Sequence, residues 1–310
     1  MAKAAPPGPH RAGFAAIVGR PNVGKSTLLN RLLGQKLAIV SPKPQTTRSR
    51  ILGIVTRPEA QIAFVDTPGL HEARGGLNAR MVDRALRTVA DADVVLFLIE
   101  AGPPRIHPKV KDALERVKQA KKPTVLVINK IDLLSRDELL PLIDRFSKEH
   151  EFADIYPLSA LTGENFDGLL DVLVPHLPEG DPLFPPDVWT DVPERALCAE
   201  LVREQILRQT EQEVPYSAAV VVEEFDESER QVGPRGLVRL LATVLVERDS
   251  QKGILIGKGG AKLKEIGARA RAQMEKLLGC KVFLQLHVRV EKDWTQTEKG
   301  LRRAGYSTED

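Results

Sequence analysis

Over the first half of the chain, apolar residues fall into short unbroken runs: Phe14 to Val18, Ile51 to Val55, Ile62 to Val65, Val94 to Ile99, Thr124 to Ile128 and the weaker Asp154 to Pro157. Runs without polar alternation are the pattern of strands covered on both faces. Between them, apolar positions recur at helical spacing over Lys25 to Leu33, Leu77 to Ala90 and Lys109 to Gln119. This alternation predicts an α/β domain with a mixed, mostly parallel sheet and helices on both faces. The polar break Thr56 to Ala60 makes Ile51 to Val65 a hairpin, the antiparallel exception.

The pattern changes after Leu177. Residues 177–193 contain five prolines, a composition suited to a connector of limited flexibility. Beyond them the spacing predicts a helix Glu194 to Thr210, strands Tyr216 to Phe225 and Gly236 to Glu247 around Gly233-Pro234, an amphipathic helix Ala261 to Leu278 and a closing strand Val282 to Val290. That is an α+β pattern. The chain is thus expected to divide into a flexible tail 1–12, a first domain 13–180, a linker 181–193, a second domain 194–300 and a C-terminal tail 301–310.

At 310 residues and 42% apolar content, two cores are expected. Cys198 and Cys280 form no C-x-x-C pair or Cys/His cluster, so neither disulfides nor zinc are suggested, and a reducing cytoplasm suits them. The first twelve residues lack the apolar core of a secretory signal. No run approaches the ~18 apolar residues of a membrane span, so membrane contact would be peripheral. Net charge is +3, but it is unevenly placed: residues 191–230 carry 4 Lys/Arg against 11 Asp/Glu, and residues 251–290 carry 9 against 2. The basic block suits an anionic partner and, equally, a solvated helix surface.

Candidate chemistry begins where the first strand ends. Gly19-Arg20-Pro21-Asn22-Val23-Gly24-Lys25-Ser26-Thr27 fits G-x-x-x-x-G-K-[ST], with a strand before it and a helix after. Its backbone N–H groups can converge on phosphate oxygens, Lys25 can reach the β- and γ-phosphates, and Ser26 can ligate Mg²⁺. The positive end of the following helix points at the same anion. Leu37 to Val40 then leads into Ser41 to Arg50, polar and broken by Pro42 and Pro44, an exposed loop. The run Ile62 to Val65 ends in Asp66-Thr67-Pro68-Gly69 at the carboxyl edge of the sheet, where an aspartate can hold Mg²⁺ and the Gly69 N–H can approach a γ-phosphate. By itself this tetrapeptide would be only a turn. Thr124 to Ile128 runs into Asn129-Lys130-Ile131-Asp132. A carboxylate there can accept from the N1–H and exocyclic amine of guanine, a donor pair adenine lacks; alone, Asp132 would serve as well as a helix cap. A further strand leads to Leu158-Ser159-Ala160, where a backbone N–H can meet the guanine carbonyl.

Gly19 to Ser26, Thr46/Thr47, Asp66 to Gly69, Asn129 to Asp132 and Ser159-Ala160 stand in the order and approximate spacing of the five signature loops of Ras-like GTPases, and the first domain resembles that family. The resemblance implies GTP and GDP as ligands, with contacts from Gly19 to Thr27, Asp66 to Gly69, Asn129, Lys130, Asp132, Ser159 and Ala160. It implies Mg²⁺ at Ser26, Asp66 and Thr46 or Thr47, with Lys25, Thr46, Thr47 and Gly69 serving hydrolysis. The chain departs from the pattern at Leu70, where Ras-like domains carry the glutamine that orients the attacking water. Intrinsic hydrolysis is therefore expected to be slow or helped by something else. Asn22 resembles the asparagine of bacterial GTPases that add a K⁺ ion near the phosphates; a purely loop-stabilising Asn22 is the alternative.

In the second domain, Ile254-Leu255-Ile256-Gly257-Lys258-Gly259-Gly260 precedes the amphipathic helix. A G-x-x-G loop lets a nucleic-acid backbone approach closely, Lys258 adds charge, and the apolar groove beside it takes about four single-stranded nucleotides. A lone G-x-x-G is weak. Its place within the basic block and the element order α-β-β-α-α-β strengthen it, and the segment resembles the type II KH fold. Candidate RNA contacts are Ile254, Ile256, Gly257, Lys258, Gly259, Gly260, Lys262, Lys264 and Arg269. The chain as a whole, about residues 11 to 300, resembles the bacterial Ras-like GTPases that end in a KH domain, on these loops, on Ser41 to Arg50 and on Leu245 to Lys252. That resemblance implies a cytoplasmic, monomeric switch, at most peripheral at the inner face of the membrane. Its implied partners are the single-stranded 3′ end of small-subunit ribosomal RNA and the small ribosomal subunit, in whose assembly it assists. Two other classes remain open at this point: an RNA-binding module whose first domain merely holds nucleotide, and an ATP-driven enzyme, which Asn129 to Asp132 discourages.

Overall fold

The computed structural model describes residues 9–43, 46–48, 50–66, 88–102 and 106–306. The chain forms two compact units that meet in sequence between Asp191 and Val192, with Ile39–Thr46 grouped with the second.

The first unit is built on β1 (Arg11–Gly19), β2 (Ile51–Thr56), β3 (Ala60–Asp66), β4 (Val94–Glu100), β5 (Thr124–Asn129) and β6 (Asp154–Leu158). They lie in the order β2-β3-β1-β4-β5-β6. All neighbours are parallel except the β2–β3 hairpin. Helices with both ends among the described residues are α1 (Lys25–Leu33), α2 (Pro108–Gln119), α3 (Arg136–Ser147) and α4 (Leu169–Leu173). Every residue of β3 and β5 is buried, as the unbroken apolar runs predict. Leu114 and Val117 of α2 and Leu142 and Phe146 of α3 pack with Ala16, Val18, Phe97 and Leu126 on one face. The alternate residues Ile17, Leu96, Leu98, Val125 and Val127 are buried too, and α1 lies against β1, β2 and β3. Parallel pairing brings the carboxyl ends together: Ile17 is in register with Asp66, Glu100 with Asn129 and Asn129 with Leu158. Ligands of open α/β sheets bind at that edge.

Several boundaries differ from the sequence reading. β1 begins at Arg11, inside the expected tail, because the Arg11 guanidinium donates to the Leu177 carbonyl (2.6 Å) and pairs with Glu179. Residues 184–190, expected as linker, run along the exposed edge of β2. The Ile54 N–H donates to the Trp189 carbonyl (2.8 Å), Thr190 Oγ1 to the Leu52 carbonyl (2.7 Å), and the Gln61 amide bonds both backbone groups of Phe184. An uncovered edge strand would leave those groups open to pairing with another chain. Helix α3 was not anticipated. Pro141 lies inside it, and its start is held by Glu138, whose Oε2 accepts from the Ser135 N–H and hydroxyl. The expected helix Leu77 to Ala90 lies outside the described residues apart from a helical end at 88–91.

The second unit contains α5 (Glu194–Gln209), α6 (Val214–Ser217), β7 (Ala219–Glu229), β8 (Leu237–Val246), α7 (Asp249–Ile256), α8 (Ala261–Leu278), β9 (Lys281–Val290) and α9 (Glu298–Arg303). β7 is antiparallel to β8, and β9 parallel to it. On α8, Ile266, Ala270, Met274 and Leu278 recur every four residues and pack with Cys198, Val202 and Ile206 of α5 onto Val238, Leu240, Ala242 and Val244. Burial pushes the Cys198 thiol up to about 12, which keeps it an inert apolar group. Tyr216, expected to start a strand, lies in α6 instead, because Pro215 pre-sets a helical φ and the Tyr216 and Ser217 N–H groups both donate to the Glu213 carbonyl. Residues 301–306 of the expected tail 301–310 continue helix α9 and pack; 307–310 lie outside the described residues. Leu301 and Ala304 join buried Trp294, Ala219 and Leu245, and Tyr306 stacks on the Trp294 ring.

Trp294 is fully enclosed and its indole N–H donates to the Ser217 carbonyl (2.8 Å). Trp294→Ala should lower the unfolding free energy by about 3–5 kcal/mol, read by urea titration of the whole chain. A loss below about 1 kcal/mol would show that this C-terminal packing is not a structural anchor.

Candidate nucleotide and RNA sites

The loop after β1 is shaped by two tight glycines. A side chain at Gly19 would place its Cβ 2.5 Å from the Leu98 carbonyl oxygen. Gly24 has φ +101, and a Cβ there would lie 2.2 Å from Asn129 Nδ2. Gly24 is also the N-cap of α1, with no side-chain cap and no acidic residue in the first turn, so the first-turn N–H groups face an anion site unopposed. Lys25 opens the helix, buried, with Nζ donating to the Gly19 and Arg20 carbonyls (3.1 Å each).

Around Lys25 stand the groups predicted for a metal. Ser26 Oγ lies 3.0 Å from Thr47 Oγ1, and both hydroxyls donate to Asp66 Oδ2, at 2.9 and 3.3 Å. Asp66 is fully buried, and its second oxygen, Oδ1, has no hydrogen-bond partner among the described residues. Burial pushes the Asp66 carboxyl above its ordinary range, opposed by the charge of Lys25 and the two hydroxyls. Burial pushes Lys25 below its own, opposed by Asp66. An oxygen-only donor set with an orphaned carboxylate oxygen fits a hard divalent cation such as Mg²⁺.

Of the two threonines only Thr47 joins this cluster. Thr46 turns away: its hydroxyl donates to the Lys43 carbonyl (2.7 Å), and its own carbonyl accepts from Arg203 Nη2. Within the second unit, residues 39–46 are further tied to α5, where Lys43 Nζ donates to the Thr210 carbonyl and Arg208 Nη2 to the Val40 carbonyl (3.0 Å). Thr67, Pro68, Gly69 and Leu70 lie outside the described residues. Arg20, Pro21, Val23 and Thr27 sit in the loop and first helical turn as expected, and Asn22 is exposed at φ 65.

At the base-reading end, Asp132 is exposed in a single 3₁₀ turn, Ile131–Leu133. Lys130 adopts φ 66 and pairs with Glu100 at 2.8 Å. Asn129 does not point to solvent. Its Nδ2 donates to the Val23 carbonyl (2.7 Å) and its Oδ1 accepts from the Ala160 N–H (2.9 Å), so it straps the phosphate loop to the Ser159-Ala160 loop. The Ala160 and Ser159 N–H groups, expected to be available to a base, are both engaged, the latter with the Glu164 carbonyl. Sequence reasoning missed Arg31, whose guanidinium reaches that same loop from α1; no spacing rule marks it.

The second candidate site joins α7 to α8. Gly257 has φ 70 and ψ 179, a region open essentially to glycine alone, and a Cβ there would meet Lys262 Cβ at 2.8 Å. Gly259 and Gly260 also have positive φ. Lys258 and Lys264 are exposed, Lys262 half-buried, and none of the three has an ion-pair partner among the described residues, whereas Arg269 is paired with Glu265 at 2.7 Å. Ile254 is exposed and Ile256 half-buried. Both α7 and α8 pack on β9, the edge strand of its sheet.

Residues 14–130 match the family model described as 50S ribosome-binding GTPase, and residues 213–295 match the KH domain model. The chain is 52% identical to GTPase Era of Syntrophus aciditrophicus, covering 96% of this chain and 95% of that protein. Among solved structures it is similar to an Aquifex aeolicus Era variant bound to GDP·AlF4⁻, at 44% identity and TM-score 0.89 over 96% of this chain and 99% of that one. It is equally similar to Era in complex with MgGDPNP and nucleotides 1506–1542 of 16S ribosomal RNA, at 44% identity and TM-score 0.90 with the same coverage.

Proposed function

Because the chain belongs to the Era family of GTPases, we propose that it is a GTP-hydrolysing switch that holds the single-stranded 3′ end of small-subunit ribosomal RNA and assists maturation of the small ribosomal subunit. The observation that carries this reading is the hydrogen-bonded cluster of Ser26, Thr47 and buried Asp66 beside Lys25, in the same chain as a G-x-x-G loop near lysines without an ion-pair partner among the described residues. The Era structure that holds both MgGDPNP and a ribosomal RNA fragment supports it.

In this mechanism the loop Gly19 to Thr27 binds the phosphates through backbone N–H groups, and Lys25 leaves the Gly19 and Arg20 carbonyls for the more strongly negative β- and γ-phosphate oxygens. Ser26, Thr47 and Asp66 would hold Mg²⁺, which neutralises charge on the phosphates when bound. Thr47, and not Thr46, supplies the switch-loop hydroxyl. Gly69 would offer its N–H to the γ-phosphate. Asp132 reads the guanine edge, with Lys130 alongside it and Asn129 holding the two loops in register. Leu70 cannot orient water, so hydrolysis depends on an added cation or on a bound partner. Asn22 would hold K⁺ for the first of these routes. Loss of the γ-phosphate would leave Thr47 held only by Ser26 and Asp66, and through the Thr46–Thr47 peptide would loosen the loop whose other end is tied to α5. Ile254, Ile256, Gly257 to Gly260, Lys262 and Lys264 form the RNA surface, with Arg269 contributing once it leaves Glu265. No helix among the described residues is long and apolar enough to cross a membrane; we place the protein in the cytoplasm, monomeric, with at most peripheral membrane contact.

Asp132→Asn should shift preference from guanine toward xanthine nucleotides, measured by competition between GDP and XDP. An unchanged preference would remove Asp132 from base reading. GTP turnover should be faster in K⁺ than in Na⁺ and lose that difference in Asn22→Ala; equal rates of the unsubstituted protein in the two salts would remove the cation role.

A further inference from the structure

Arg31 lies in the last turn of α1, the helix whose first residues, Lys25 and Ser26, serve the phosphates. Its side chain leaves that helix for the loop after β6. Nε donates to the Ala160 carbonyl and Nη2 to the Leu161 carbonyl, both at 2.6 Å. The guanidinium also lies over the Phe166 ring, 5.6 Å from its centroid. Gly163, at φ +90, makes the room: a Cβ there would fall 2.6 Å from Arg31 Nη1. The planar fork is thus held by two successive carbonyls, an aromatic face and a glycine opening, a fit that a lysine cannot reproduce.

The loop that Arg31 grips is the one assigned to the guanine carbonyl. Its Ala160 N–H is already given to Asn129. The Leu161 N–H, on the peptide whose carbonyl Arg31 holds, has no partner among the described residues, and Leu161 is exposed. A guanidinium on the Ala160 carbonyl polarises that peptide and strengthens its N–H as a donor. We propose that Arg31 is a positioning residue for base selection. It fixes the Ala160–Leu161 peptide so that the Leu161 N–H meets the guanine carbonyl, and it makes the phosphate-binding helix and the base-reading loop one rigid piece. This rests on the guanine reading above and adds a residue that touches no part of the nucleotide.

The test uses the full chain and three probes: GDP, ADP and inorganic tripolyphosphate, which has no base. Arg31→Met should weaken GDP about tenfold or more, mainly through faster release, and lower the GDP-over-ADP preference by a similar factor. Tripolyphosphate affinity should stay within about twofold, because the phosphate loop is intact. Equal losses for GDP and tripolyphosphate, or no loss for either, would overturn the proposal. Should Arg31→Met fail to fold, Arg31→Lys decides. It should weaken GDP by an intermediate factor with tripolyphosphate unchanged, and wild-type GDP affinity in that variant would also overturn it. Asp132→Asn, measured alongside, reports separately on the guanine reading: a chain that still prefers GDP over XDP would end that reading and this inference with it, while a shift to XDP leaves the Arg31 result to stand on its own.

Discussion

A carboxylate and an ammonium are enclosed near each other at the carboxyl edge of the first sheet, and neither is fully answered by the described residues. Among the described residues Lys25 has only two backbone carbonyls, and Asp66 has two hydroxyls on one oxygen and none on the other. Burying charges in that state costs several kcal/mol per ion even after relaxation. A phosphate chain with a divalent cation removes both deficits at once, since it gives the lysine oxygens of full negative charge and the aspartate a cation. Much of the surrounding structure follows from keeping this arrangement in place. Parallel strands bring Asp66 level with the loop after β1, and Gly19 and Gly24 let that loop close against Leu98 and Asn129 without side chains in the way.

The second unit solves a related problem by other means. Its buried charges, Arg203 and Glu204, are paired within α5, with Glu200 and Arg208; its glycine loop stands at the surface between two helices, held in backbone regions other residues avoid, with exposed lysines beside it. The RNA binding proposed there would depend on close backbone approach and on counterion release, and would be sensitive to salt in a way the enclosed nucleotide site is not. Within this unit the Thr46 and Val40 carbonyls are held by Arg203 and Arg208, and the residue after Thr46, Thr47, is bonded to Ser26 and Asp66.

Much of this was legible in the sequence because the relevant signals are local. The unbroken runs of β3 and β5 read as strands covered on both faces, and the motifs that begin at Gly19, Asp66 and Asn129 lie in consecutive residues at strand ends, where the structure has those three residues. What stayed hidden depends on contacts distant in the chain. Residues 184–190 read as a proline-rich linker, yet they cover the edge of β2 through bonds to Leu52, Ile54 and Gln61. Pro141 obscured a helix that Ser135 and Glu138 start. Asn129 read as a nucleotide contact, and the structure gives both ends of its amide to the protein. The choice between Thr46 and Thr47 was not open to sequence at all, since two adjacent, identical side chains differ only in the direction the backbone sends them.

The central claim is that one chain couples guanine nucleotide to RNA, and it is tested most directly by the affinity of the full protein for a single-stranded oligonucleotide of the small-subunit 3′ end, measured with a non-hydrolysable GTP analogue and with GDP beside a scrambled strand of the same composition. The account predicts tighter binding of the native sequence than of the scrambled one, and an affinity that differs between the two nucleotide states. Equal affinity for both strands, or the same affinity in both states, would contradict it.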